Sequence, residues 1–162
     1  LGLSATETTR NAEAMEQFGK KFNDLTVNEM YEIAKSRFEI FVCEQKIVEE
    51  QDFDDKDKVC HHIMLKENER VVAYCRIVPK GIGYDYISVG RVLVLSSHRR
   101  KGIAQEMMKV ALEFIKNNLD EKTVVLSAQL YAKGLYESVG FKVISDVYDE
   151  VNIPHVKMKV EL

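Results

Sequence analysis

Residues 87–115 read ISVGRVLVL (87–95), SSHRRKGIA (96–104) and QEMMKVALEFI (105–115), and the hydrophobic period changes within that stretch. The first segment is β-branched and apolar as far as Leu95, which suits a central strand. The last places Ile103, Ala104, Met107, Met108, Ala111, Leu112 and Ile115 at three- and four-residue spacings, with Gln105, Glu106, Lys109, Glu113 and Lys116 between them, the pattern of an amphipathic helix. Arg99, Arg100 and Lys101 fill the junction, and Gly102 follows at the helix start. Backbone amides there have no partner within the helix and lie at the positive end of its dipole, so strand, loop and helix together predict an anion site. Gly102 and the small Ala104 leave room for a ligand to approach that backbone, and a phosphate or pyrophosphate is the expected occupant.

Upstream, Met15 to Asn23 reads best as a first strand. Thr26-Val27-Asn28-Glu29 is a capping box, and Met30, Ile33, Ala34, Phe38 and Phe41 continue it as a helix from about Val27 to Val42. Glu44 to Lys58 is acidic, polar and without period, a long loop whose acidic residues between Glu49 and Asp57 are expected to attract a cationic acceptor. His61–Lys66 and Arg70–Val78 flank the polar turn Glu67-Asn68-Glu69 as a hairpin. Downstream, Thr123–Leu126 is a compact strand, about Ala132 to Ser138 a short helix, and Phe141–Ser145 and Ile153–Val160 are further strands. The order is strand, helix, three strands, helix, strand, helix, two strands. It predicts an α/β (α+β) domain, a mixed central sheet flanked by helices, with at least one parallel pair across each helical crossover.

The 162 residues suffice for one domain with a substantial core. Residues 1–14 are small, polar and weakly patterned, and are expected to be a cloning remnant or a loose terminus, leaving 15–162 as the domain. A formal charge of −3 argues against nucleic acid as the main partner. The absence of an apolar run of spanning length argues against a membrane. Cys43, Cys60 and Cys75 are odd in number and lack Cys-x-x-Cys spacing, which fits a reducing, cytoplasmic compartment. Cys43, Cys60, His61 and His62 make a poor zinc set, because adjacent histidines in a strand face opposite ways, and no metal is expected.

Arg99-Arg100-Lys101-Gly102-Ile103-Ala104 is an instance of Arg/Gln-x-x-Gly-x-Gly/Ala and resembles the acetyl-coenzyme A signature of the GNAT superfamily of N-acetyltransferases. Gln129 to Phe141 is similar to the superfamily's Asn-x-x-Ala-x-x-x-Tyr-x-x-x-Gly-Phe segment, with Gln129 in the usual asparagine position. RFEIFVCEQ (37–45) and DEVNIPHVKM (149–158) resemble segments of the ElaA-like branch.

The resemblance implies the GNAT fold, in which splayed parallel strands form the acetyl-CoA cleft. It also implies direct transfer of acetyl from acetyl-CoA to an amine of a small molecule or peptide. A backbone amide among Leu93, Val94 and Leu95 would polarise the thioester carbonyl. The amides of Arg100 to Ala104, with the charges of Arg99 and Lys101, would hold the pyrophosphate, while Gln129 and Lys133 would lie along the coenzyme. Tyr136 matches the motif tyrosine and is the expected general acid. Glu44, acting through water, and His155 are the two candidate bases. The rival expectation is an acyl-CoA-binding sensor with little or no turnover, and a homodimer is compatible with either.

Overall fold

The computed structural model describes residues 16–162. Residues 1–14, expected to be a remnant or a loose terminus, and Met15 lie outside the described residues. Strand β1 (Glu16–Lys21) is followed by helix α1 (Val27–Arg37), the hairpin β2 (His61–Glu67) and β3 (Arg70–Val78), and strand β4 (Ile87–Val94). Helix α2 (Ile103–Phe114), β5 (Thr123–Gln129), α3 (Lys133–Glu137), β6 (Lys142–Val143), β7 (Tyr148–Glu150) and β8 (Ile153–Glu161) complete the chain. The sheet order is β1-β2-β3-β4-β5-β8-β6, with β7 also paired to β8. Among the described residues no helix is long and apolar enough to cross a membrane.

The mixed sheet is as expected, but only one of the three helical crossovers gives a hydrogen-bonded parallel pair. That pair is β4 with β5, across α2. After α1 the chain runs through the long loop before β2, which lets β2 return antiparallel to β1. After α3 the chain forms β6, and β8 lies between β6 and β5 as antiparallel partner to both. Strand β7 had no signal of its own in the sequence, since its three residues are too few to show a period. The expected strand at 141–145 is reduced to Lys142–Val143.

Adjacent histidines show how the helices sit. The His61 ring lies 5.4 Å from Phe114 of α2. His62 bonds Tyr74 and the Asp57 carbonyl, a group continuous with Arg37 of α1. Since neighbouring strand residues face opposite sides, α1 and α2 cover opposite faces. Met107, Met108, Ala111 and Ile115 of α2 are buried, and β3 is buried from Val71 to Val78. His61 and His62, two members of the set rejected as a zinc site, thus lie on opposite faces of the sheet, with Cys43 exposed and Cys60 buried.

Helix α1 begins as the capping box required, with the Glu29 amide donating to Thr26 Oγ1 and the Thr26 amide to Glu29 Oε1, each at 3.0 Å. From Phe38 to Glu44 it continues as a π-helical turn where an α-helix was expected. Glu29 is buried, and Lys20 and Lys66 also donate to it. Burial alone would raise its pKa, but the Thr26 amide and the two lysines outweigh that and lower it from 4.5 to about 2. A depressed carboxylate pKa means stability that is present above the unfolded value and lost as pH falls through the folded one. Glu29→Gln is expected to cost about 1–3 kcal/mol at neutral pH. Denaturant titrations should show the gap from the parent closing between pH 4.5 and about 2.

Candidate active site

Strands β4 and β5 pair only at Ile87–Val124 and Ser88–Val125, although β4 runs on to Val94 and β5 to Gln129. Beyond Ser88 they part, as the resemblance implied, and a cleft of about 540 Å³ opens between them. On its other side β4 pairs with β3, and the Leu95 amide donates to the Val72 carbonyl at 2.9 Å. Alternation along an antiparallel strand then turns the Val94 and Val92 amides away from β3, toward the gap. Of the three expected carbonyl-polarising positions, Leu95 is thus committed elsewhere and Leu93 faces Tyr74. Val94 is the one whose amide faces the cleft, and Val92, which sequence reading passed over, joins it.

Gly102 caps α2 at φ 73°, a left-handed backbone that glycine adopts without strain. A Cβ built there would meet no atom within 4 Å, so the approach to the helix start is open. A second recess of about 150 Å³ lies here, lined by Arg99, Arg100, Gly102, Ile103 and Ala104, and Ala104 also lines the main cleft. The Ile103 side chain is core, so it offers the recess only its backbone. Arg100 and Lys101 are exposed and enter no side-chain ion pair among the described residues. The fit to a bound phosphate chain is good: unpaired helix-start amides, two uncommitted cations and no side chain in the way.

Arg99 and Glu44, expected as a phosphate ligand and a base, are partners. Arg99 Nη2 donates to Glu44 Oε2 at 2.8 Å, Nη1 bonds Oε1, and Nε donates to the Val94 carbonyl at 3.1 Å. The Arg99 bonds, against a smaller opposing effect of burial, lower the Glu44 pKa, which makes that carboxylate a weak proton acceptor. Its neighbour Gln45 accepts from Gln129 Nε2 at 3.0 Å. The end of the π-turn therefore reaches both walls of the cleft. Lys133 is half-buried, and its Nζ lies 3.8 Å from Glu137 Oε1.

Tyr136 is buried on α3, lines the cleft and packs edge-on to Phe141. Its hydroxyl has no hydrogen-bond partner among the described residues. Burial first, then Cys75 and Tyr131, push its pKa above the ordinary phenol value, so it keeps its proton at neutral pH. His155 on β8 also lines the cleft and is 5% exposed. Its Nδ1 donates to the Ile153 carbonyl at 2.7 Å, so only Nε2 is able to exchange a proton. That nitrogen lies 3.3 Å from Glu150 Oε2, and Tyr148 stacks on the ring. Ser127 Oγ bonds both the Tyr148 hydroxyl and, at 3.2 Å, Glu150. Sequence reading missed Ser127, Tyr148 and Glu150; the last stands in the branch-specific segment from which only His155 was taken.

The aspartates of the acidic loop behave differently from expectation. Asp52, Asp54 and Asp57 are held by Arg37, Arg76 and Arg91, and Asp55 pairs with Lys58. The charge of Asp52, Asp54 and Asp57 is thus spent within the protein, whereas Glu49 and Glu50 are exposed, enter no ion pair among the described residues, and Glu50 lines the main cleft. Arg37 is fully buried against Asp52 and Asp57.

A cleft between parted parallel strands, ending at an anion-ready helix start, is the layout of an acyltransferase fold. The chain belongs to the GNAT acetyltransferase family, in its ElaA-like branch: the sequence model of the acetyltransferase (GNAT) domain matches residues 7–162. A UPF0039 protein of Schizosaccharomyces pombe is 43% identical over 145 residues, covering 88% of this chain and 95% of its own. Protein ElaA of Escherichia coli is 32% identical over 141 residues, 86% of this chain and 92% of its own. The ElaA crystal structure superposes with a TM-score of 0.82 over 90% of this chain and 99% of that one. An acyl-CoA N-acyltransferase from Pseudomonas aeruginosa, also 32% identical, gives 0.80 over the same shares.

Proposed function

We propose that this protein is an N-acetyltransferase that moves the acetyl group of acetyl-CoA to a primary amine by direct attack, with both substrates in the cleft together. The observation that carries the reading is the parting of β4 from β5 beside the α2 helix start, which offers unpaired amides at both ends of a coenzyme-sized path. Acetyl-CoA supplies a thioester whose carbonyl carbon is attacked by a deprotonated amine, with the coenzyme thiolate leaving. The Gly102–Ala104 amides, Arg100 and Lys101 bind the phosphates. The Val92 and Val94 amides donate toward the carbonyl oxygen as it gains charge. Tyr136 gives its proton to the departing sulfur and His155 Nε2 accepts one from the amine, directly or through a water. Glu150, next to that nitrogen, stabilises the imidazolium so formed. The family assignment and the name of the Pseudomonas aeruginosa neighbour both support acyl transfer from a coenzyme A thioester.

Thiol release from acetyl-CoA should depend on added amine across a panel of polyamines, amino sugars, amino acids and lysine peptides, with calorimetry reporting coenzyme binding in parallel. Binding without release for any amine would overturn the enzyme reading in favour of a sensor. Tyr136→Phe is expected to lower turnover by about ten- to a thousandfold while leaving acetyl-CoA affinity near that of the parent. Unchanged turnover would remove Tyr136 from the acid role.

A further inference from the structure

The β4 strand carries one more residue than its partner, and that extra residue defines a linkage between the acidic loop and the cleft. Tyr74 faces Leu93 and Arg76 faces Gly90, so Cys75 alone opposes both Arg91 and Val92. Arg91 sits at φ 52°, in the left-handed region, where a residue with a side chain is strained and glycine is not. The bulge immediately precedes Val92 and Val94, the residues whose amides turn into the cleft.

The Arg91 side chain is anchored on the acidic loop, chiefly on Asp52, with Asp54 Oδ2 a further 3.5 Å from its Nη2. Arg91 Nε donates to Asp52 Oδ1 at 2.9 Å and Nη2 to the Asp52 carbonyl at 3.0 Å. Asp52 is itself fixed from behind: Arg37, fully buried, donates from Nε to Asp52 Oδ2 at 3.0 Å and from Nη2 to the same carbonyl at 2.7 Å. A continuous chain of charge-assisted bonds thus runs from the core of α1 through the loop to the bulge.

We infer that Asp52 is a positioning residue for acyl transfer, acting through the Arg91 side chain to keep the β4 bulge in the backbone conformation that presents the Val92 and Val94 amides to the thioester. The inference rests on the acetyltransferase reading but concerns a loop to which that reading gives no part. It also gives the acidic loop a purpose other than attracting substrate.

The test uses two substitutions at one position. Arg91→Ala removes the anchor and keeps the strain, whereas Arg91→Gly removes both. Arg91→Ala is expected to lower kcat by about tenfold or more with acetyl-CoA affinity little changed, and Arg91→Gly to return kcat to within about threefold of the parent. Asp52→Asn should lower kcat in the parent and have little further effect in the Arg91→Gly background, compared at a temperature where all variants are folded. Amide NMR shifts of Val92 and Val94 supply a readout independent of turnover: parent-like in Arg91→Gly, displaced in Arg91→Ala. Equal kcat and equal shifts for parent and alanine variant would overturn the inference, as would a glycine variant as impaired as the alanine one. If the parent binds acetyl-CoA without amine-dependent thiol release, the acetyltransferase reading fails. The NMR comparison would then still decide whether Asp52 and Arg91 set the bulge.

Discussion

His155→Gln is expected to lower the rate of acetyl transfer to an amine by about a hundred- to ten-thousandfold, the usual worth of a positioned proton acceptor, with acetyl-CoA affinity unchanged. The expectation follows from how the ring is held. Its Nδ1 proton is committed to the Ile153 carbonyl, Tyr148 fixes the ring plane, and Nε2 is left facing the cleft beside Glu150. Glutamine is close in size and keeps hydrogen-bonding capacity, so β8 should still pair with β5 and β7, but its amide cannot carry away a proton. A structural role would disturb thermal stability and every acceptor alike. A base role predicts something more selective: acceptors whose amines are already neutral at the assay pH should lose far less rate than strongly basic ones. Uniform loss across acceptors, or no loss, would remove His155 from the mechanism and leave a water-linked alternative to be found. Glu150→Gln should weaken the same step by a smaller factor, roughly tenfold, since it acts on the charge of the ring and not on the proton itself.

The parts of this site that could be read in the sequence are those written in local period and spacing. The change from β-branched run to three- and four-residue spacing places β4, the loop and α2 without reference to the rest of the chain, and Gly102 marks the helix start by its backbone freedom. Tyr136 and His155 were found through motif position and both reach the cleft. What could not be read are partnerships across long separations. Arg99 and Glu44 are 55 residues apart, and nothing in either neighbourhood says that the expected phosphate ligand and the expected base neutralise each other. The same holds for the loop aspartates: their number suggested an exposed acidic surface, whereas Arg37, Arg76 and Arg91, from α1, β3 and β4, draw them inward. The bulge at Arg91 was also invisible, because an extra residue in one strand shows itself only against the register of its neighbour.

That buried charge lattice carries the largest expected loss of stability. Arg37→Met should destabilise the fold by about 3–5 kcal/mol, because it removes one member of a buried ionic group and leaves the others in place. Arg37 is fully buried, with Asp52 and Asp57 bonded to its guanidinium and Phe53 packed 4.2 Å from it. Once it is gone, Asp57 keeps only the Arg76 contact at 3.1 Å, and its second oxygen already lacks a partner. Against a typical total of about 5–15 kcal/mol such a loss is severe, and for a chain of this size it corresponds to a fall in Tm of roughly 6–20 °C. Arg37→Lys should fall between parent and Met variant, since one ammonium cannot reproduce a fork that reaches two carboxylates. The sign of the pH dependence distinguishes lost charge pairing from lost packing. Burial would raise the Asp57 pKa, but Arg37 and then Arg76 outweigh it and hold the carboxyl low, so its contribution is present above the ordinary carboxylate range and fades as pH falls. The gap between parent and Arg37→Met should therefore narrow below about pH 4 if charge is the cause, and stay constant if only volume was lost. Pairing Arg37→Met with Asp57→Asn should recover part of the loss at neutral pH, because the second change removes the carboxylate that the first left poorly compensated.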